Sequence, residues 1–156
     1  MKISNSSFQK ALVLGVMSGM RTTAGLSFMQ PLVSNSISKS PLVNFLQKKP
    51  VAAGTLLLGI AELVIDKLPG APDRIAKGGP AFRVAAGAVC GAAIYQAGGK
   101  KAVTGVVTGS IAAVASTYIF FHLRKTLCKK TGIRDPFIGA AEDVLAIAGG
   151  FACTKC

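Results

Sequence analysis

The sequence predicts an all-α fold, an integral membrane bundle of about five transmembrane helices with an internal repeat. Three observations predict it: a mean hydropathy of +0.52, several apolar runs of membrane-spanning length, and a charged content of only 15%. The apolar residues are mostly Ala, Gly, Val, Leu and Ile, and Trp is absent. A water-soluble domain of 156 residues would carry more charge and more large side chains in its core. We therefore expect lipid to surround most of the chain.

Five apolar segments come close to the length of about 20 residues that a helix needs to cross the hydrocarbon core. The clearest runs from Ala102 to Phe121 without a formal charge. Lys2 and Lys10 precede the first segment, but no signal-peptide cleavage pattern follows, so we interpret it as a retained span. Within one domain, residues 1–156, the predicted spans are 11–33, 51–66, 80–98, 102–122 and 136–153, with an interfacial segment at 41–48 that follows several serines and begins at Pro41.

The Lys and Arg residues predict an orientation. On alternate sides of a five-span chain, 10 cations share the side of the amino terminus and 6 lie on the other. The positive-inside rule then places the amino terminus in the cytoplasm and the carboxyl terminus outside. The richest loop is expected to bind anionic lipid headgroups, at about 1 kcal/mol per cation; its cations are Arg124, Lys125, Lys129, Lys130 and Arg134.

The net charge of +12 raises the question of nucleic-acid binding. The cations occur in short clusters between apolar runs, and no basic amphipathic helix or aromatic-studded strand is evident. Anchoring at the membrane surface explains these clusters better. We therefore predict no nucleic-acid partner.

Two patterns recur along the chain and predict an internal repeat. Arg21 and Arg83 are each followed four residues later by glycine, which is one helical turn along the same face. Glu62 and Glu142 are each preceded by Gly and Ala at the same offsets. Each half of the chain would thus contribute one arginine-bearing and one glutamate-bearing helix, with one further helix inserted in the second half.

Charges inside the spans are the candidate functional residues. A charged side chain at bilayer depth costs between about 2.5 and more than about 10 kcal/mol unless it is paired or hydrated. We expect Glu62 and Glu142 to pair with Arg21 and Arg83, although the sequence does not determine which pairs with which. Two interpretations stay open: structural ion pairs that fix helix packing, or a polar pathway in which a carboxylate exchanges a proton or cation. The candidate pathway residues are Arg21, Glu62, Asp66, Arg83, Glu142 and Asp143, of which Asp66 is better explained as a helix-end cap.

Several of these segments resemble a known family. They are the run 59–69, the Pro72-Asp73-Arg74 motif, the Arg83 helix and the closing helix with Glu142 and Asp143. Together they resemble the bacterial membrane family known as domain of unknown function 4126. The resemblance covers nearly the whole chain, and its most specific part is the Glu-Leu-x-x-Asp-Lys-x-Pro segment. It implies a small multi-span protein of the bacterial inner membrane, and it implies no activity and no catalytic residue.

Glycines spaced four apart predict close helix packing, because lipid offers no hydrophobic drive and small residues let backbones approach. Contacts within one chain are the main interpretation, and the seam of a homo-oligomer is the alternative. The three pairs are Gly15 with Gly19, Gly87 with Gly91, and Gly105 with Gly109.

Enzyme chemistry finds little support in the sequence. Cys153 and Cys156 have the spacing of a redox pair or of half a metal site, but further ligands with suitable spacing are lacking. Phosphate-loop, zinc-protease and nucleophile-elbow motifs are absent. We predict no enzyme, no cofactor and no metal site. Two function classes stay open: a small transporter or ion-coupled permeation protein, and a structural or lipid-interacting membrane protein.

Overall fold

The computed structural model describes residues 3–34, 36–38, 40–65, 79–131 and 135–155. Within these ranges the chain forms α-helices and no strand, which confirms the all-α class. Asp66, Arg134 and Cys156 lie outside the described residues. The helices are α1 (Ile3–Met20), α2 (Thr22–Ser34), α3 (Pro41–Leu46), α4 (Lys49–Ile65), α5 (Gly79–Ala97), α6 (Ala102–Thr131) and α7 (Asp135–Lys155).

Two of the described helices are long and apolar enough to cross a membrane: Ala102–Lys130 within α6 and Phe137–Thr154 within α7. This supports a membrane location, whereas the predicted five spans and the internal repeat are not confirmed. The two arginines of the repeat also differ in local structure. Arg21 lies in a turn between two helices, and Arg83 lies inside a continuous helix.

The segment predicted as one span over residues 11–33 is two helices that form a hairpin. α1 ends at Met20, and α2 begins at Thr22. A Cβ added at Gly25 would lie 2.7 Å from the carbonyl oxygen of Leu14, eleven residues earlier. A straight helix would separate these residues by about 16 Å, so α2 must fold back along α1. Glycine at position 25 allows this close approach.

The α1–α2 hairpin and α5 bring several distant segments to one end of the bundle. Ser7 faces Gly98, just beyond the end of α5. After α2, the Ser38 and Ser40 hydroxyls donate hydrogen bonds to Gln96, so the chain has returned to the level at which α1 begins. We call this end, marked by Ser7 and Gly98, the near end. The opposite end, marked by Ile65 and Gly79, is the far end.

The last helix also returns to the near end. Asp143 of α7 contacts Arg21, and farther along α7 the ring of Phe151 packs edge-on against Phe28 of α2, with centroids 5.5 Å apart. α7 therefore runs in the same direction as α2, away from the far end. The beginning of α1 and the end of α7 lie at the same end of the bundle, contrary to the prediction of termini on opposite sides. The reason is the hairpin, which adds one reversal of direction to the predicted path.

Glycines hold α1, α5 and α6 close together. A Cβ at Gly15 would lie 2.7 Å from the carbonyl oxygen of Gly109, and one at Gly87 would lie 2.6 Å from the same oxygen. Gly91 faces Gly105 backbone to backbone in the same manner, and Gly19 faces the backbone of Ala113 and the side chain of Ser116. The six glycines of the sequence pattern thus lie at contacts within this chain, where any side chain would push the helices apart.

The short helix α3 closes the near end, in the region of the predicted interfacial segment. Pro41 occupies its first turn, where a missing N–H is harmless. Val43 and Leu46 are buried in a core cluster with residues of α1, α2 and α5. The Gln47 side-chain amide then donates hydrogen bonds to the carbonyl oxygens of Val33 (2.7 Å) and Ser36 (2.8 Å), which fixes the end of α2.

Candidate functional site: the turn between α1 and α2

The turn at Arg21 places two helix ends of opposite polarity inside the bundle. The last carbonyl groups of α1 carry partial negative charge, and the first N–H groups of α2 carry partial positive charge. Away from water, such groups need partners from elsewhere in the protein. The neighbouring helices provide them.

Two side chains meet the carbonyl end of α1. Arg83 of α5, which is buried, donates from Nη1 to the carbonyl oxygens of Gly19 (2.9 Å) and Met20 (3.4 Å). The Thr117 hydroxyl of α6 lies within donating distance of both the Gly19 oxygen (3.1 Å) and the Ala113 oxygen of its own helix (2.7 Å). A cation at a helix carboxyl terminus is stabilising because it offsets the negative end of the helix dipole.

Glu62 of α4 meets the amino end of α2. Its Oε1 accepts from the backbone N–H of Thr22, and its Oε2 accepts from the backbone N–H of Thr23, both at 3.0 Å. The Thr23 hydroxyl also donates to Oε2 at 2.5 Å. The first N–H groups of a helix usually bond to the side chain of its own N-cap residue. In α2 they bond instead to a carboxylate from another helix.

Arg21, the turn residue itself, pairs with Asp143 of α7. Its Nε lies 2.5 Å from Oδ1 of the carboxylate, and both side chains are more than nine-tenths buried. A buried pair of this kind is sensitive to the loss of either member, because the remaining charge is left in a medium that solvates it poorly.

These contacts define what we call the turn cluster: Arg21, Glu62, Arg83, Thr117 and Asp143. Its members come from the turn and from each of α4, α5, α6 and α7. The cluster thereby joins all the long helices at a single level of the bundle. Within the cluster, Arg83 and Glu62 offset the partial charges of the two helix ends, and Asp143 neutralises Arg21.

Four of the six predicted pathway residues meet in this cluster, where Glu62 lies close enough to Arg21 for charge attraction although its hydrogen bonds go to the backbone of α2. Glu62 and Arg83 contact helix ends, and Arg21 contacts Asp143 where a glutamate was expected. Glu142 is buried next to Asp143. Sequence reasoning missed Thr117, although a Ser-Thr pair inside an apolar span was a visible signal.

A lateral cleft adjoins the turn cluster. It lies between α4 and α7, over α2, and has a volume of about 420 Å³. The Arg21–Asp143 pair closes the cleft on the side that faces the far end of the bundle. The hydroxyl groups of Thr23 and Ser27 lie on the floor of the cleft. The rest of the lining is apolar. The floor of the cleft is formed by α2 and its two walls by α4 and α7. The residues are Thr23, Ser27 and Phe28 of α2, Gly59 and Ile60 of α4, and Ile147 and Phe151 of α7.

The basic end of α6 lies at the far end of the bundle. The Arg124 guanidinium packs beside Gly139, with Nη2 3.4 Å from where a Cβ of that glycine would lie. Lys125, Lys129 and Lys130 are exposed. Over the described ranges, no group of three His, Cys, Asp or Glu side chains is placed to hold a metal ion.

Comparison with known proteins gives a family. The family model described as "Domain of unknown function (DUF4126)" matches residues 10–155, nearly the whole chain. The chain belongs to this family. The match confirms the resemblance seen in the sequence, and the turn cluster and the lateral cleft both lie inside the matched region. No curated protein and no solved structure matches the chain significantly.

Proposed function

We propose that this DUF4126 protein is a multi-span, lipid-interacting protein of the bacterial inner membrane, in which the buried charges hold the α1–α2 hairpin inside the bundle. The main support for this proposal is that the charged side chains of the turn cluster bind the ends of helices. Glu62 binds the amino end of α2, and Arg83 binds the carboxyl end of α1. These two charged side chains thus form hydrogen bonds with backbone groups at helix ends. The adjoining cleft has a mainly apolar lining.

The distribution of side-chain sizes supports lipid as the surrounding medium. Small residues and polar groups fill the interface of α1, α5 and α6, as at Gly109 and Thr117, while many large apolar side chains face outward. Leu57 is 66% exposed and Val103 is 72% exposed. In water such a surface would promote aggregation, whereas in a bilayer it is the expected arrangement.

The proposed crossings are α4, α5, α6 and α7, with the α1–α2 hairpin entering from the near end. The shortest crossing, α4, has 17 residues and measures about 25 Å at 1.5 Å per residue. That length approaches the hydrocarbon thickness of about 30 Å. The hairpin turns before the far end, at the level of Thr117 and Asp143.

Two measurements on Glu62 test the structural role of the charges. Glu62→Ala leaves two N–H groups of α2 without an acceptor, so we expect a loss of about 2 kcal/mol in unfolding free energy. Glu62→Gln keeps one carbonyl oxygen and should lose roughly half of that. Adding Arg21→Met to Glu62→Ala should restore nothing and should lower stability further, because the stranded groups belong to the backbone and Asp143 then also loses its buried partner. Recovery in this double variant would instead identify Glu62 as an ion-pair partner and contradict the proposal.

Transport is the second candidate, because charged groups at an interrupted helix are a recurring feature of secondary transporters. Its test is flux of protons or monovalent cations in proteoliposomes. If the protein transports, Glu62→Gln should abolish flux while the protein stays folded. Absence of flux in the unsubstituted protein is the result expected from a lipid-interacting role, and Leu58→Ala, on the exposed face of α4, is the control for reconstitution.

A further inference from the structure

We propose that the lateral cleft binds one acyl chain of an anionic phospholipid from the leaflet at the far end of the bundle. The inference rests on the membrane location proposed above, and it names the lipid, its position and its direction. Its basis is the shape of the cleft, its opening to the side, and the order of polar and apolar groups along it.

The cleft has the dimensions of a site for a single chain. Its floor extends along α2 from Thr23 to Pro31, a rise of eight steps that spans about 12 Å at 1.5 Å per residue. Its volume of about 420 Å³ lies within the usual range of ligand sites, which are mostly apolar with a few placed polar groups. The long, narrow and apolar shape fits a hydrocarbon chain.

The cleft opens toward the surroundings of the bundle. α4 and α7 both pack on α2, but in the described part of the chain they do not pack on each other. Exposed apolar side chains flank the gap, among them Leu56 (58% exposed) and Ile147 (43% exposed). In a bilayer an acyl chain would enter sideways from the lipid, with no passage through water.

The order of groups along the cleft gives the direction of the lipid. The polar pair Arg21–Asp143 lies toward the far end, and Phe151 lies toward the near end. Beyond Asp143, one helical turn along α7, the Arg124 guanidinium lies beside Gly139. A chain whose headgroup lies at the far end places its ester region at the polar pair and its methyl end at Phe151. The opposite direction would place the methyl end against the ion pair.

The exposed cations of α6 determine the headgroup class. Lys125, Lys129 and Lys130 follow Arg124 at the far end, so an anionic headgroup there gains electrostatic attraction that a zwitterionic one does not. The cleft and these cations together form a site for a chain and its negatively charged headgroup.

Photo-crosslinking tests the proposal in the full-length protein. The probes are phosphatidylglycerol and phosphatidylcholine, each with a diazirine on one acyl chain, in vesicles of unlabelled phosphatidylcholine. We expect phosphatidylglycerol to label peptides of α2, α4 and α7 at cleft residues in preference to other exposed helix faces. Phosphatidylcholine should label them less.

Two pairs of variants separate the cleft from the general lipid surface. Gly59→Leu and Ile147→Trp fill the cleft from opposite walls, and both should abolish its labelling. Their controls, Gly54→Leu on α4 and Leu145→Trp on α7, lie outside the cleft lining and should retain it. Using both walls keeps the test valid if one variant misfolds.

Three results would overturn the inference: no labelling of cleft residues, equal labelling by both lipids, or labelling that survives Gly59→Leu and Ile147→Trp. Extraction of the membranes with alkaline carbonate, done in parallel, tests the membrane location separately. Release of the protein by carbonate would defeat the proposed function itself. Retention without cleft labelling would defeat only the lipid site.

Discussion

The two sides of the bundle are held together in different ways. On one side, α1, α5 and α6 touch backbone to backbone through glycines such as Gly91 and Gly109. On the other side, α4 and α7 contact the hairpin through side chains, at the turn and again at Ser27–Thr55 and Phe28–Phe151, and a cleft separates α4 from α7. Close packing needs small residues along a whole face, whereas attachment through side chains needs only a few contacts. The second arrangement leaves room between helices, and the first does not.

The largest expected effect is on the polar side. Asp143→Ala leaves Arg21 buried without its carboxylate, which should lower the unfolding free energy by about 3–5 kcal/mol. Adding Arg21→Met should restore most of that loss. Unfolding in mixed micelles, followed by far-UV circular dichroism, measures both. A single variant as stable as the parent would show that this side does not depend on the pair.

The next effect tests the glycine side. A Cβ at Gly109 would overlap the backbone of Gly87, which cannot move without its helix, so Gly109→Ala should cost about 1–3 kcal/mol. Gly149→Ala in α7 is the matched control, because nothing lies within 4 Å of its added Cβ. It should be neutral or slightly stabilising, since Ala favours helix over Gly. Equal losses in the two variants would contradict close packing as the cause.

The smallest effect separates a bond between helices from a bond within one. Thr117→Val removes the hydroxyl that contacts both the Ala113 oxygen of its own helix (2.7 Å) and the Gly19 oxygen of α1 (3.1 Å), and we expect a loss of about 0.6 kcal/mol, the average for bonds between helices in membrane bundles. Thr108→Val removes only a bond to Thr104 of the same helix and should change stability less. The same micelle titration compares them. A larger loss at Thr108 would refute the importance of Thr117 at the turn.

The sequence singled out charges that the structure buries, such as Arg83 and Glu142, because an isolated charge stands out in an apolar run. It did not predict their partners. Glu62 and Arg83 contact backbone groups that are exposed only because the chain turns at Arg21. The residues at the turn include neither Gly nor Pro, so the usual break signals were missing there. Thr22 and Thr23, a type favoured at helix starts, were the available hint.

The glycine pattern was more informative than the charges. Spacing of four residues brings glycines to one helix face, and the faces of Gly87 and Gly109 meet in the structure. Sequence alone could not distinguish contacts within the chain from those between two chains, since both require the same small residues. The lateral cleft could not be predicted either, because it depends on α4 and α7 packing on α2 without packing on each other.

The reversal of direction at Arg21 also changes what the cations indicate about insertion. Lys10 lies at the opposite end of the bundle from Arg124 and Lys125, although the predicted topology counted them together. Among the described cations outside the turn cluster, six lie at the near end and four at the far end: Lys10, Lys48, Lys49, Lys100, Lys101 and Lys155, against Arg124, Lys125, Lys129 and Lys130. Six against four gives no strong preference for either orientation. Reporter fusions to α1 and α7 should therefore report the same compartment, whichever compartment that is.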